Sequence, residues 1–338
     1  MSQTDSMHRL RQLASREENQ NCREYGSARL GQTNSNSFIC FAIVWDRRIL
    51  KSTYNTSAAR ASKLHMNPLK KTDRSLPPGY RAEGMRHESP AYVVYQALHL
   101  ATGRMCAIKT TRKAPTPDAT TALEHEFDAL RRLSGSFAPK AYELLRPEKL
   151  FLVLEWIDGA DLESIIRSKP PLPRAIALAS MILKAVDDLH ASGFLHLDLK
   201  PANILIRPTG AAALIDFALA QPIGPPVAPP EQPFLLQGTL SYMAPEQTGW
   251  LDAPIDRRAD YYALGVIFYE LFVGATPFAA QTFQELLDHV LHSVPAEPID
   301  LPLPLNQLIM QLLAKHPDQR PGELGKAAAV VSSSAEIC

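Results

Sequence analysis

The sequence predicts an α+β protein whose folded region begins with β-strands and continues with helices. Strand-like apolar patterns occupy residues 92–109, where a turn divides them, and residues 149–156. From Pro173 onward, apolar residues recur at the three- and four-residue spacing of helices. Strands and helices that occupy separate parts of a chain are typical of the α+β class.

Composition excludes several classes of protein. A chain of 338 residues with 46% hydrophobic residues can form one large or two moderate domains with a substantial core. The longest apolar run in the first part of the chain, residues 38–45, is too short to span a bilayer, and no signal sequence is recognisable. The four cysteines have neither metal-ligand nor disulfide spacing, which favours a reducing, cytoplasmic compartment.

Charge divides the chain into a basic N-terminal arm and an acidic remainder. Residues 1–79 carry 13 Lys and Arg against 6 Asp and Glu, a balance of +7, and the remainder balances it at −7. Residues 1–75 are rich in Ser, Asn, Gln and Arg without sustained periodicity, so we expect a disordered extension. The arm could contact anionic surfaces, but a solvated tail is the simpler interpretation. We expect neither nucleic-acid binding nor a membrane span. Met66 is an alternative start of the natural protein.

The residues that can carry chemistry concentrate in one loop. Asp198, Lys200 and Asn203 combine a carboxylate, an ammonium group and a carboxamide within six residues. An apolar strand at 204–206 would hold the loop rigid, and Asp216 follows a second apolar run thirteen residues after Asn203. These groups can accept a hydroxyl proton, neutralise a phosphoryl group and supply hard oxygen ligands to Mg²⁺. The alternative, a surface turn with a solvated ion pair, is disfavoured by the order of the motifs on either side.

This loop resembles the catalytic loop of protein kinases, His-Arg-Asp-Leu-x-x-x-Asn, and Asp216-Phe-Ala resembles the Asp-Phe-Gly motif that follows it in that family. Two positions depart from the family pattern, since Leu197 replaces the arginine and Ala218 replaces the glycine. The resemblance covers about residues 78–333 and implies a two-lobed protein-kinase-like fold. The expected boundaries are an N-terminal extension at 1–75, a kinase domain at 76–333 with a β-rich lobe at 76–157 and a helical lobe at 158–333, and a tail at 334–338.

In the small lobe, the strands at 92–95 and 105–109 are expected to form a hairpin across Thr102-Gly103. Lys109 ends an Ala-Ile-Lys strand like the family's Val-Ala-Ile-Lys, which implies contact with the α- and β-phosphates and a position near the surface of the nucleotide cleft. The family's glycine-rich loop has no glycine at its three characteristic positions here and contains a proline without an N–H: His87, Ser89, Tyr92 and Pro90. We therefore expect weaker phosphate binding than is usual in the family.

The helix after this hairpin is expected to supply the partner of Lys109. Thr121 and Glu124 have the spacing of a capping box, which predicts that the helix begins there. Glu126 is the expected ion-pair partner of Lys109. Glu124 is the alternative, although a capping role suits it better.

Residues 154–159, Leu-Glu-Trp-Ile-Asp-Gly, resemble the kinase hinge. The resemblance implies that backbone groups of Glu155 and Ile157 bind adenine and that Asp161 meets the ribose. The apolar side chains expected to line the same nucleotide site are Val94, Ala107 and Leu205. A plain strand-to-helix linker is the alternative interpretation of this stretch.

In the large lobe, Ala244-Pro-Glu246 matches the motif that closes the kinase activation segment. The resemblance implies that Glu246 pairs with Arg320 and that Asp260 accepts backbone N–H bonds from the catalytic loop. His196 is expected to pack in the core. One predicted helix starts at Pro173 and ends at Gly193, and another covers 264–271 and is capped by Gly274. Three more are predicted near 282–292, 304–315 and 322–331.

The stretch Gly238–Gly249 further resembles the Ser/Thr-kinase-like domain that opens large hybrid sensor kinases of bacteria and fungi. Those proteins continue into an ATPase and a histidine kinase, which we expect this sequence, ending at Cys338, to lack.

The resemblance as a whole implies an ATP- and Mg²⁺-dependent protein kinase that phosphorylates Ser or Thr of a protein substrate and acts with downstream signalling proteins. In the implied mechanism Asp198 orients and deprotonates the hydroxyl, Lys200 and Lys109 stabilise phosphates, and Asn203 and Asp216 hold Mg²⁺. Activity is expected without activation-loop phosphorylation, since residue 197 is not arginine and no hydroxyl residue lies between Ala218 and Gly238.

Two other functions stay open. The glycine-free loop and Ala218 favour a pseudokinase that serves as a nucleotide-binding regulatory or scaffolding module. A small-molecule kinase is disfavoured by the complete Ala-Pro-Glu segment and the helices after it, which in the family build a peptide-docking surface.

Overall fold

The computed structural model describes residues 76–112, 117–147, 149–224 and 240–335, all of which belong to one compact unit of the chain. The predicted N-terminal extension and residues 336–338 of the predicted tail lie outside the described residues, whereas residues 334 and 335 belong to the last helix. The large antiparallel sheet comes from residues 80–155 and most of the helices from the residues after it, so the predicted α+β class is confirmed.

The strands of the described ranges fall into one large sheet and two small ones. Their bounds are β1 Tyr80–Glu88, β2 Tyr92–His99, β3 Arg104–Thr111, β4 Ala141–Leu145, β5 Phe151–Glu155, β6 Ala160–Asp161, β7 Phe194–Leu195, β8 Ile204–Ile206, β9 Ala212–Leu214 and β10 Gln221–Pro222. The first five form an antiparallel sheet in the order β1-β2-β3-β5-β4. The others form a three-stranded sheet, β6-β8-β9, and a pair, β10-β7.

The helices of the described ranges belong mostly to the second part of the chain. Their bounds are α1 Pro117–Arg132, α2 Leu162–Arg167, α3 Leu172–Ala191, α4 Arg257–Val273, α5 Phe283–His292, α6 Leu303–Leu312 and α7 Leu324–Ala335. The helices predicted from periodicity are confirmed, with shifts of a few residues at most of their ends. The exception is α4, which begins at Arg257 instead of the predicted 264, so that Asp260 lies inside the helix. No helix in these ranges has the length and apolarity needed to cross a membrane.

The large sheet buries its two faces in different cores. Alternate residues along β5 point to opposite faces, so Leu152 and Leu154 join the main core with α1 while Phe151 and Val153 join a smaller one. The predicted hairpin is confirmed, since β2 pairs with β3 from Tyr92↔Thr111 to His99↔Arg104. This pairing places Val94 directly opposite Lys109.

The start of α1 differs from the prediction. The helix begins at Pro117, so Thr121 and Glu124 lie inside it and the capping-box assignment was wrong. Proline is favoured in the first helical position because its fixed φ suits a helix and its missing N–H would have no helical partner there. The side chain of Glu124 instead lies against that of Arg146.

The two longest helices of the large lobe end as the sequence suggests. Helix α3 ends at Ala191 and is followed by Gly193 with φ +82°, and Gly274 stops α4 with φ +85°. Glycine adopts this left-handed conformation without the steric cost that a Cβ brings. Helix α4 is buried along most of its length, and Asp260 in its first turn is 1% exposed.

Candidate active site

Three charged groups from distant parts of the chain meet at Lys109. Its Nζ lies 2.7 Å from Glu126 Oε2 on α1 and 2.8 Å from Asp216 Oδ1, which follows β9. Burial opposes the charged form of Lys109, but the two carboxylates outweigh it and raise the pKa of the ammonium group. Burial alone would likewise raise the pKa of Asp216, but Lys109 lowers it to about 2. The Asp216 carboxylate is therefore ionised at neutral pH, whereas burial raises the pKa of Glu126.

The position of Lys109 corrects the expectation that it lies near the surface. The residue is only 7% exposed, because β3 is a central strand and α1 packs against it. Glu126, not Glu124, is its helical partner. The second Glu126 oxygen, Oε1, accepts the N–H of Phe217 at 3.3 Å, which ties α1 to the segment after β9.

A second polar cluster surrounds Asp198. Lys200 Nζ lies 2.8 Å from Asp198 Oδ2 and 3.1 Å from Oδ1. Asn203 Nδ2 donates to the backbone oxygen of Asp198 at 2.9 Å and to its Oδ2 at 3.0 Å. Burial raises the pKa of Asp198, and Lys200 offsets part of that rise. A carboxylate with a raised pKa is better suited to accept a proton than a fully solvated one.

Asp260 of α4 fixes the backbone of the loop that carries Asp198. Asp260 accepts the N–H of His196 at 2.9 Å and that of Leu197 at 2.8 Å, and His190 Nε2 lies 2.8 Å from the same carboxylate. Leu197 has φ +62°, a conformation that costs a non-glycine residue of the order of 1 kcal/mol. Its carbonyl oxygen accepts from Gln247 Nε2 at 3.0 Å, so both sides of the strained residue are fixed.

His196 packs inside the molecule, as predicted. It is 0% exposed, and its ring lies 4.9 Å from the ring of Phe217. Burial lowers the pKa of this imidazole, which keeps it neutral. Asp198 N–H donates to His196 Nδ1 at 3.3 Å, so the ring supports the loop.

The oxygens near these clusters suit a hard divalent cation. Both contacts of the Asn203 amide nitrogen are with Asp198, so its Oδ1 lies on the other side of the amide group. Asp216 Oδ1 accepts a hydrogen bond from Lys109. The Asp216 side chain is 38% exposed, which leaves its carboxylate accessible. A carboxylate and a carboxamide oxygen, completed by water and phosphate oxygens, form the ligand set that Mg²⁺ prefers. The residues present therefore fit Mg²⁺.

Comparison with known proteins identifies the family. Residues 91–333 match the protein kinase domain. The chain belongs to the protein kinase family. The five-stranded sheet is the small lobe of this kinase domain, and the helices from α2 onward form the large lobe.

Several curated bacterial proteins are similar to this kinase domain. The serine/threonine-protein kinase PkaA of Streptomyces coelicolor is 35% identical over 227 residues, which are 65% of this chain and 41% of that protein. The serine/threonine-protein kinase PknA of Mycobacterium tuberculosis is 35% identical over 173 residues, 50% of this chain and 39% of that protein. The serine/threonine-protein kinase pkn3 of Myxococcus xanthus is 28% identical over 263 residues, 72% of this chain and 47% of that protein. The chain thus spans less than half the length of each of these relatives, and the resemblance to hybrid sensor kinases stays a prediction.

In the stretch predicted to be the hinge, one backbone donor is already engaged. Glu155 N–H donates to the oxygen of Lys140 at 2.8 Å, so an adenine ring could use only the carbonyl group of Glu155. Ile157 is only 5% exposed, and contact between its backbone and adenine stays a prediction. The three apolar residues predicted to line the site are half-buried beside fully buried neighbours: Val94, Ala107 and Leu205. Exposed apolar surface at these positions is what walls of a ligand cleft require.

Asp161 has a structural role that the sequence reasoning missed. It caps α2, where its Oδ1 accepts Ser164 N–H at 2.7 Å and its Oδ2 accepts the Ser164 hydroxyl at 2.9 Å. An aspartate three residues before a serine at the start of a helix is a recognisable N-cap signal. Contact between Asp161 and a ribose stays a prediction.

The remaining expected ion pair is present in the large lobe. Arg320 Nη1 and Nη2 lie 2.6 and 2.8 Å from the two carboxylate oxygens of Glu246, and both side chains are almost fully buried. The same guanidinium group donates to the backbone oxygens of Ala314, Arg258 and Lys315. This bidentate pair fixes the end of the activation segment to the C-terminal helices.

Three contacts near the two charged clusters were not foreseen. Arg86 of β1 has its guanidinium carbon 5.4 Å from the centre of the Trp156 ring, so it connects the small lobe to the hinge. Gln247 connects the end of the activation segment to the catalytic loop, since its Oε1 accepts Ala244 N–H at 3.1 Å while its Nε2 donates to Leu197. Tyr92 lies against Lys109, with the ammonium 5.1 Å from its ring centre. Gln247 follows the Ala-Pro-Glu motif, whereas no local pattern reveals the contact of Arg86 with Trp156 or that of Tyr92 with Lys109.

Proposed function

We propose that this kinase domain transfers the γ-phosphate of ATP, with Mg²⁺, to Ser or Thr hydroxyls of a protein substrate. The observation that carries the proposal is the pair of charged clusters, Lys109–Glu126–Asp216 and Asp198–Lys200–Asn203. Three of the most similar relatives are named serine/threonine-protein kinases, which supports the same activity.

The chemistry follows from the charges. Asp198 accepts a hydrogen bond from the substrate hydroxyl and takes its proton as the new O–P bond forms and the bond between the β- and γ-phosphates breaks, with the electron pair leaving on ADP. Lys200, which touches Asp198, neutralises negative charge on the transferring group, and Lys109 orients the phosphates that stay behind. Mg²⁺ bound by Asn203 and Asp216 would neutralise the phosphate oxygens.

We also propose that the site works without a phosphorylated activation segment. Leu197 cannot bind a phosphate, and Asp260 and Gln247 already hold the backbone of this residue on both sides. The sequence also suggests that Leu197 packs against Phe234 or Leu235, two residues that lie outside the described ranges. A cytoplasmic location and downstream signalling proteins as partners belong to the same proposal.

One observation favours the alternative, a nucleotide-binding regulatory module. Two backbone N–H groups of the β1–β2 loop are engaged within the loop itself: Ser89 N–H donates to Tyr92 O at 2.9 Å, and Tyr92 N–H to Ser89 Oγ at 3.0 Å. Donors used in this way are not available to phosphates.

Phosphate transfer to a generic basic protein separates the two functions. With γ-labelled ATP and Mg²⁺, the chain is expected to label Ser or Thr, and Asp198→Asn, which keeps the shape of the side chain, to lose at least about a thousandfold in rate because the proton acceptor is gone. ATP binding without transfer in the unsubstituted chain would support the regulatory module instead.

A further inference from the structure

Tyr92 occupies the cleft side of the small lobe beside Lys109. Side chains alternate between the faces of a strand, so Tyr92 shares a face with Val94, which lies opposite Lys109. Tyr92 itself lies opposite Thr111, two residues further along β3. A tyrosine in such a diagonal position can reach its neighbour across the strands.

The ring closes the third side of the Lys109 ammonium group. Two sides are taken by Glu126 Oε2 at 2.7 Å and Asp216 Oδ1 at 2.8 Å, and the Tyr92 ring centre lies 5.1 Å from Nζ. The Lys109 side chain is 9% exposed. An ammonium group has three N–H donors, so two carboxylates and an aromatic face satisfy it without any ligand.

The phenol end of the same side chain is anchored. Tyr92 Oη donates to the backbone oxygen of Ala119, in the first turn of α1, at 3.3 Å. The backbone end is fixed as well by the two hydrogen bonds with Ser89. The ring is thus held at both ends, and it leaves Lys109 only if the contact with Ala119 breaks.

We propose that Tyr92 sets the preference of this site among nucleotide ligands, because a phosphate chain reaches Lys109 only after the ring has moved away. The proposal rests on the nucleotide binding argued above. A ligand without phosphates, such as adenosine, contacts the hinge and does not meet the ring. Tyr92 therefore lowers the affinity for ATP and leaves the affinity for adenosine unchanged.

Titration calorimetry of ATP with Mg²⁺ and of adenosine, on the full chain, tests this. Tyr92→Ala is expected to bind ATP about tenfold more tightly, since displacement of a cation–π contact and a hydrogen bond is no longer needed, and to bind adenosine as before. Tyr92→Phe keeps the ring but loses the anchor, so its ATP affinity should fall between the two. The matched control is Tyr95→Ala, which removes a tyrosine from the opposite face of the same strand and should change neither affinity.

The outcomes distinguish the inference from the proposal beneath it. Unchanged or weaker ATP binding by Tyr92→Ala, with adenosine binding intact, overturns the inference alone. A parallel change in both affinities also overturns it, because the ring would then shape the whole cleft. Absence of ATP and adenosine binding in every variant overturns the inference together with nucleotide binding. If Tyr92→Ala does not fold, Tyr92→Phe decides, and an ATP affinity equal to that of the unsubstituted chain counts against the inference.

Discussion

At the scale of single residues, Lys200 controls the ionisation of Asp198. Burial raises the pKa of Asp198, and the Lys200 ammonium, 2.8 Å away, holds that rise back. Asp198 must be ionised to accept a proton, so activity falls as pH drops through its pKa. Replacement of Lys200 with methionine raises this pKa further, so the acidic limb of the kcat/KM profile should move to higher pH.

The measurement is the pH profile of phosphate transfer for Lys200→Met against the unsubstituted chain. Lys184→Met is the control, because the Lys184 side chain is 75% exposed and its ion-pair partner within the described ranges is Asp188, outside both charged clusters. An acidic limb that stays in place, or moves to lower pH, would mean that Asp198 is not the group that titrates.

Lys109 is also a residue on which the fold depends. Glu126 is 1% exposed, so Lys109→Met leaves a buried carboxylate without its ammonium partner. We expect the free energy of unfolding to fall by about 3 kcal/mol, the lower end of the cost of breaking a buried pair. Adding Glu126→Gln to this variant removes the unpaired carboxylate, so the double variant should recover part of the lost free energy of unfolding.

Urea unfolding of both single variants and the double variant measures the coupling between the two residues. Lys184→Met is again the control and should change the free energy of unfolding by less than about 0.5 kcal/mol. Strictly additive effects of Lys109→Met and Glu126→Gln would contradict the ion pair.

At the scale of elements, Gln247 joins the short turn Pro245–Thr248 to the catalytic loop. Gln247→Glu keeps the acceptor for Ala244 N–H but turns the donor to Leu197 into a second acceptor. The carbonyl of Leu197 then loses its partner, and a loss of about 1.4 kcal/mol would lower kcat about tenfold. The KM for ATP should stay the same, because neither contact involves the hinge or Lys109.

Steady-state kinetics of Gln247→Glu, with the exposed Gln311→Glu as control, check this prediction. An unchanged kcat would show that the catalytic loop holds its shape without this connection. A change in KM alone would place the effect at the nucleotide instead.

The ends of several helices and one hairpin could be predicted from the sequence. The ends of α3 and α4 and the β2–β3 hairpin were predictable, because Gly193, Gly274 and the Thr102-Gly103 turn impose their conformations locally. The start of α1 was missed although Pro117 is itself a signal, because the Thr121–Glu124 spacing imitated a cap. The spacing of a capping box can occur by chance inside a helix, and the sequence alone does not distinguish such a case from a true helix start.

At the scale of the whole molecule, the ordered motifs predicted which charged residues would meet. They did not predict burial. Lys109 is enclosed by α1, by the segment after β9 and by Tyr92 of β2. Only tertiary packing brings these three parts of the chain close to Lys109. The family position of Asp161 predicted contact with the ribose, but it did not predict that this residue caps helix α2.

The basic arm is predicted to be dispensable for the fold. Leu76 packs against the small core with Tyr80, so a chain that starts at Leu76 keeps this contact and should melt within a few degrees of the full chain. A chain that starts at Tyr80 lacks Leu76 and should melt at a lower temperature. Calorimetry of the three chains is the test, and a drop of about ten degrees or more for the chain that starts at Leu76 would refute the prediction.

The two charged clusters are proposed to form a working phosphotransfer site in the unphosphorylated chain. The most direct measurement is phosphate transfer by protein that has been treated with phosphatase and shown by mass spectrometry to carry no phosphate. We expect the same initial rate as before treatment, and no transfer by Asp198→Asn. Activity that disappears with the phosphate and returns when the activation segment is rephosphorylated would contradict it, and so would a folded, ATP-binding chain that transfers nothing in either state.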